Sequence, residues 1–190
     1  MIHPLAGAAL TALMLSACSV LPQAAPPLTQ HDLGGGFAPV VDAPLPLRAV
    51  EVTATPLAAG LAMQYREAAR PTTRASYAFN RWAAPPAQLV AQAFARLLPL
   101  TPAATCRLDL QLDDVLLEID ADGRGEAVLN GRLRLSRNTE VLRAQLVAQR
   151  VPLPRVAPAD YALAQREAVL RLAREAAQWS VATPACAAAS

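Results

Sequence analysis

The sequence predicts an α+β fold: a mostly antiparallel sheet of about five or six strands with a C-terminal-half meander, covered on one face by two helices. Two changes of hydrophobic period carry that expectation. From Pro46 to Trp82 and again from Cys106 to Ala148, apolar residues alternate with polar ones, as in half-buried strands. From Pro85 to Leu98 and from Ala157 to Ala182 they recur at steps of three and four, as on one helix face.

The first strand signal is "PLRAVEVTAT", with Leu47, Val50 and Val52 on an alternating pattern. Before it, "HDLGGGFAPVVDAPLP" reads as a loop, in which His31 to Leu33 could form a short edge strand. "GLAMQYREA" gives a second strand holding Met63 and Tyr65, and "ASYAFNRWAAPP" runs extended until its prolines. Pro85-Pro86 then suits a first helical turn, where backbone N–H groups lack partners in any case. Leu89, Val90, Ala93, Phe94, Leu97 and Leu98 form the apolar face, and Pro99 and Pro102 end the helix.

In "CRLDLQLDDVLLEI", Leu108, Leu110 and Leu112 share a face. Past Asp113-Asp114 the apolar phase shifts to Val115, Leu117 and Ile119, which predicts a β-bulge. The next strand keeps one phase through Ala127, Leu129, Gly131, Leu133 and Leu135. A turn at Asp122-Gly123-Arg124 would pair Ile119 with Ala127 and Val115 with Gly131. Across the bulge, Leu112 would then face Leu133 and Asp113 would face Arg132. A third strand is expected to bury Leu142, Ala144, Leu146 and Ala148. The last helix places Ala168 or Val169, Leu172, Ala176 and Trp179 on one side, with Arg166, Arg171, Arg174 and Glu175 around the rest.

The N-terminus has a different character. "LAGAALTALML", Leu5 to Leu15, has no charge and is too short for a spanning helix, but fits the apolar core of a secretory signal. Leu15-Ser16-Ala17-Cys18 is similar to the lipobox of bacterial lipoproteins. That resemblance implies cleavage before Cys18 and covalent lipid on it, a palmitate-type acyl chain included. Two or more chains give stable anchoring where one does not. Residue Ser19, rather than Asp, favours the outer membrane, by analogy with the lipoprotein sorting rule. The expected organisation is residues 1–17 as signal peptide, 18–30 as a Pro-rich lipid-anchored tether, and 31–190 as one α+β domain. The expected compartment, facing the periplasm, is oxidising.

The formal net charge is +2, and no basic block suggests a nucleic-acid partner. All 17 basic residues are Arg, which matches GC-rich codon usage as well as it matches phosphate or carboxylate contacts. On the meander, Arg132, Arg134, Arg143 and Arg150 are expected mainly on the polar side, as a solvated face or as a surface for anionic headgroups or an acidic partner. His31 is the single histidine after Cys18, and no Ser-His-acid set can be assembled, so no catalytic residue is assigned and an enzyme is not expected. Asp113, Asp114, Glu118, Asp120 and Asp122 gather near a turn, but "DADGRGE" lacks EF-hand spacing, so no metal is assigned. Apart from lipid at Cys18, no cofactor is expected. Cys106 and Cys186 remain. An even pair in an oxidising compartment suggests a disulfide; the alternatives are two buried thiols or a zinc pair, for which no further His or Cys is at hand.

The stretch Met63 to Leu98 resembles the ABC-type transport auxiliary lipoproteins, which include the paraquat-inducible lipoprotein type. The matching features are Tyr65-Arg66, then Tyr77, Trp82, Ala83, Pro85 and Pro86 opening a helix. One departure is "TQHDLGGG", which carries no aromatic residue where the family has an aromatic-rich first strand. The resemblance implies an outer-membrane lipoprotein on the periplasmic face. Its partners would be the ABC permease, the ATPase and an MCE-domain (mammalian cell entry) subunit of one system, with self-association as a further option. Its work would be the movement of lipids or other hydrophobic molecules across the periplasm, in support of envelope integrity. A rival reading is an assembly lipoprotein, for outer-membrane or lipopolysaccharide assembly, that binds an outer-membrane protein. Tyr77, Arg81 and Trp82 are the candidate partner-binding residues. For Trp82 the choice lies between a core anchor and an interface aromatic beside Arg81.

Overall fold

The computed structural model describes residues 25–186, so Cys18 and the 1–17 leader lie outside the described residues. Seven strands and two α-helices follow in the order β1 (Thr29–His31), β2 (Leu47–Ala54), β3 (Ala62–Glu67), β4 (Ala75–Trp82), α1 (Pro86–Leu97), β5 (Cys106–Ile119), β6 (Gly125–Arg137), β7 (Glu140–Pro152) and α2 (Pro158–Val181), with a short 3-10 turn at Pro184–Cys186. All seven strands belong to one sheet, ordered β1-β4-β3-β5-β6-β7, with β2 also beside β5. The antiparallel meander β5–β6–β7 supplies the longest ladders. β2 and β3 lie parallel to β5, and β1 parallel to β4.

β5 organises the sheet because it is fourteen residues long. Its first half, Cys106 to Leu112, pairs with β2; its last three residues, Leu117 to Ile119, pair with β3. Between them lies the bulge, where the ladder with β6 steps from Leu112 to Asp114. The extra residue rotates the strand, so Leu108, Leu110, Leu112, Val115 and Leu117 all reach one core. Opposite the bulge stands Gly131. A Cβ there would run into the backbone carbonyl oxygen of Gln111, so the two chains can approach only because the side chain is missing.

The register of this hairpin differs from expectation by two residues. Ile119 pairs with Gly125, Leu117 with Ala127, Val115 with Leu129 and Leu112 with Gly131. The loop residues are Ala121-Asp122-Gly123, one position earlier than the turn chemistry suggested. Asp120 decides this: its carboxylate accepts the backbone N–H groups of Asp122 and Arg124, both at 2.9 Å. Gly123 supplies the positive φ (+78°). A slip of two leaves every side chain on its own face, so the core residues are unaffected.

The third meander strand departs further. Of the expected inward set, Leu142 is partly buried against the core, but Ala144, Leu146 and Ala148 face outward, and Leu146 is 79% exposed. Val147 and Val151 face the core instead. The inward row also holds Gln145 and Gln149, whose amides donate to the two carboxylate oxygens of Glu175 on α2, at 2.7 and 2.9 Å. Glu175 therefore faces the sheet rather than solvent. Arg143 likewise turns toward α2 and stacks over the Trp179 ring, 4.7 Å from its centroid.

Both helices share one core cluster with the sheet. α1 begins with Pro86 and buries Leu89, Val90, Ala93, Phe94 and Leu97, and its Leu98 cap N–H returns to Phe94. α2 begins with Pro158 and buries Tyr161, Gln165, Ala168, Val169, Leu172, Ala176 and Trp179. Arg166 of α2 donates to the carbonyls of Leu33 and Gly35, both at 2.8 Å, and lies over the Phe37 ring. That clamp holds the Gly-rich loop after β1 to the helix layer. Cys106 and Cys186 are joined, with Cα atoms 5.4 Å apart, and the bond ties the start of β5 to the chain beyond α2. It closes a loop of 80 residues, which in the chain-entropy model is worth at most about 4.5 kcal/mol.

Candidate functional site

The sequence singles out the run from Tyr77 to Pro86, and the structure shows it as the corner where β4 hands over to α1. Trp82 is the last residue of β4. Its N–H donates to the Leu61 carbonyl at 2.8 Å, and the Ala83 N–H donates to the His31 carbonyl at 2.7 Å. The chain then turns at Pro85, whose carbonyl accepts from Gln88 and Leu89 and so starts α1. Prolines suit this place because the first helical turn needs no N–H donors there.

Trp82 itself is 1% exposed. Its ring meets Tyr161 of α2 edge-on, with centroids 5.3 Å apart and planes at 62°. The choice left open by the sequence is therefore decided for the core: Trp82 offers no surface to a partner. Its neighbours in the motif do. Tyr77 is half-buried, its ring tilted at 47° against Tyr65 with centroids 5.2 Å apart, and burial, aided by Tyr65, raises its phenol above the ordinary tyrosine value. Arg81 is half-buried beside Gln30 of β1. Tyr77 and Arg81 thus reach the surface in part, beside Ala78, Phe79 and Ala83, which are exposed.

Tyr65-Arg66 lies on the neighbouring strand. Arg66 approaches Glu118 at 3.5 Å, and Glu118 also accepts from Arg150 at 2.6 Å. Arg150 in turn reaches Glu126 at 3.3 Å. These groups line an open cleft of about 440 Å³ together with Pro71 and Arg124. The other carboxylates near the turn are similarly engaged. Asp113 pairs with Arg132 at 3.2 Å, Asp114 with Arg74 at 2.5 Å, and Asp120 and Asp122 share Arg124. The Arg124 guanidinium and the backbone N–H groups hold Asp120 below its usual carboxylate range. Acidic residues close in sequence are spread over Arg partners, and among the described residues no group of three ligating side chains gathers for a metal.

Of the meander arginines, Arg132 and Arg150 pair with carboxylates on the outer face, and Arg134 stands 4.0 Å from Asp109. Arg143 is the exception, on Trp179. The His31 Nε2–H donates to Asn80 Oδ1 at 2.9 Å, so His31 belongs to the β1–β4 pairing. Sequence reasoning missed three polar links: Gln145 and Gln149 to Glu175, Arg166 to the Gly-rich loop, and Gln165, whose amide donates to the Val128 carbonyl at 2.9 Å. Only the Gln145/Gln149 spacing of four residues, which puts both amides on one face of β7, hinted at any of them.

No described helix is long and apolar enough to cross a membrane. No curated protein matches the chain in sequence. Among solved structures, an uncharacterized protein superposes with a TM-score of 0.63 at 11% identity, covering 81% of this chain and 99% of its own. Protein XCC0632 from Xanthomonas campestris, of the family model DUF330, superposes with a TM-score of 0.64 at 14% identity, covering 83% and 94%. At such identities these likenesses concern the fold. A family model described as the ABC-type transport auxiliary lipoprotein component matches residues 50–177, which include β4, its Trp82 corner, the meander and most of α2. On that match, the chain belongs to the family of ABC-type transport auxiliary lipoprotein components.

Proposed function

We propose that this protein is the outer-membrane lipoprotein of an MCE-type ABC transport system, anchored through Cys18 and standing in the periplasm. Its role there is to dock the inner-membrane permease, ATPase and MCE-domain subunit to the outer membrane so that lipids or other hydrophobic molecules cross the space between. The observation that carries this reading is the family match over residues 50–177, joined to the Leu-Ser-Ala-Cys sequence at residues 15–18. The protein acts as a docking component and not as an enzyme, needing no cofactor beyond its covalent lipid. Tyr77 and Arg81, at the surface of the β4 corner, are its proposed partner contacts.

The test is affinity purification of the tagged protein from crosslinked envelopes. Co-purification of an MCE-domain subunit with its permease and ATPase is the expected result. Recovery of an outer-membrane protein alone would transfer the assignment to the assembly lipoproteins. Arg81→Ala should weaken the transporter pull-down without moving the melting temperature. Radioactive palmitate should label the wild type and not Cys18→Ser; equal labelling would remove the anchor.

A further inference from the structure

We propose that the end of the sheet where the β3–β4, β5–β6 and β7–α2 loops meet is a membrane-docking surface, which lies on the zwitterionic phospholipid headgroups of the bilayer that holds the lipid anchor. The inference rests on the anchoring at Cys18 proposed above, and adds which end of the protein meets the bilayer and through which groups.

The strand registers bring these loops together. Glu67, the last residue of β3, pairs with Ile119 at the end of β5, and Ile119 pairs with Gly125 at the start of β6. Beside them, Glu126 pairs with Pro152 at the end of β7, and Tyr65 pairs with Ala75 at the start of β4. β1 runs parallel to β4, from Thr29 at Asn80 to His31 at Trp82. Followed backwards from Thr29, the chain therefore heads along β4 toward Ala75 and this loop end. Residues 25–28 are exposed, and Pro26-Pro27 favour an extended course that carries Ala25 about 12 Å that way. Seven residue steps then separate Ala25 from Cys18, a reach of at most about 25 Å in any conformation. β5 alone, with fourteen residues, runs about 45 Å from the disulfide at its start to the loop end. An anchor at Cys18 thus keeps the loop end near the bilayer and falls short of the disulfide end.

The chemistry of that end fits a zwitterionic surface. Each loop presents a guanidinium lying on a carboxylate: Arg70 is 2.6 Å from Glu67, Arg124 is 2.9 Å from Asp120 and 2.5 Å from Asp122, and Arg155 is 2.9 Å from Asp160. The three Arg side chains are 64%, 74% and 79% exposed, so each keeps N–H groups free for an outside acceptor. A guanidinium binds phosphate oxygens through paired N–H groups, and the carboxylates beside it match the ammonium of an ethanolamine headgroup. Positive and negative groups nearly balance, unlike the basic clusters that select anionic lipid. Between the first two loops, the open cleft of about 440 Å³ lined by Arg66, Pro71, Arg124 and Arg150 has room for a headgroup. Val156, exposed in the β7–α2 loop, adds apolar surface at the same end.

The experiment is hydrogen–deuterium exchange of the lipidated protein in nanodiscs of phosphatidylethanolamine and phosphatidylcholine, compared with the same protein in maltoside micelles. Amides of residues 68–73, 120–124 and 153–157 should exchange at least about threefold more slowly in the nanodisc, while residues 100–104 and 137–140, at the disulfide end, should not change. Arg70→Glu with Arg124→Glu should abolish the protection of the first two loops and leave the palmitate label in place. Anchored protein with no slowing at the three loops, slowing at the disulfide end instead, or protection that survives the double variant would each overturn the docking surface while leaving the anchor intact. Protein that carries no label and leaves the nanodisc would overturn the anchor and the docking surface together.

Discussion

Strands β6 and β7 are neighbours of thirteen residues each, and both alternate apolar and polar side chains. They use that alternation in opposite ways. In β6 the apolar row Ala127, Leu129, Leu133 and Leu135 is fully buried and the Arg132–Arg134 row is exposed. In β7 the regular row Ala144, Leu146, Ala148 faces water, while Gln145 and Gln149 point inward beside Val147 and Val151. The difference lies in what stands opposite. β6 is a central strand, with ladders on both sides and the helices above. β7 is the sheet edge, and above it α2 presents Glu175, a carboxylate that can be brought inward only if donors meet it. A pattern of hydrophobicity thus selects a face when the cover is apolar, and loses that power when the cover carries its own charge.

The largest expected effect is at β6. Leu133→Ala removes a fully buried side chain and should cost about 2–5 kcal/mol, read by denaturant unfolding. A loss under 1 kcal/mol would mean that β6 is not the fully covered partner of this comparison.

The link between β7 and α2 comes next. Glu175→Leu leaves both glutamine amides without their acceptor and should cost about 1–3 kcal/mol. Adding Gln145→Leu and Gln149→Leu should restore most of that stability, because the row would then be apolar on both sides. Failure of the triple variant to recover would show that Glu175 acts through something other than these two bonds.

Alkali probes the helix cover itself. Burial raises the phenol of Tyr161 far above its ordinary value, and burial together with Tyr65 raises Tyr77. Their unfolded counterparts ionise near pH 10. A group with a raised folded pKa contributes stability that is complete below the unfolded value and is lost as pH rises through the window above it. Melting temperatures should therefore hold up to about pH 9 and fall beyond pH 10, and Tyr161→Phe should make the fall shallower. A flat profile through that window would contradict the burial of Tyr161.

The smallest effect is expected where sequence alone would predict a large one. Leu146→Gln, at 79% exposure, should change stability by no more than about 0.5 kcal/mol. A core-sized loss would return β7 to the simple alternating reading.

How much was legible follows from the same contrast. The α+β class, both helices, the bulge at Asp113 and the apolar face of β6 could be read from the chain, since each is a local signal: a period, a proline, a phase shift. The parallel placement of β1, β2 and β3 could not, because pairing direction depends on residues far apart in the chain. The Tyr77–Pro86 corner was recognisable as a motif, yet its polarity was not: whether Trp82 faces a partner or the core depends on Tyr161, almost eighty positions later.

By itself, then, the sequence determined the main elements, the core face of β6 and the family-bearing run. Tertiary structure alone decided which way β7 turns, the two-residue register of the β5–β6 hairpin, the burial of Trp82 and the pairing of each carboxylate with its Arg. The physical reason is that local signals record what a residue prefers. The final orientation of a polar side chain records which partner the rest of the fold brings within hydrogen-bonding reach.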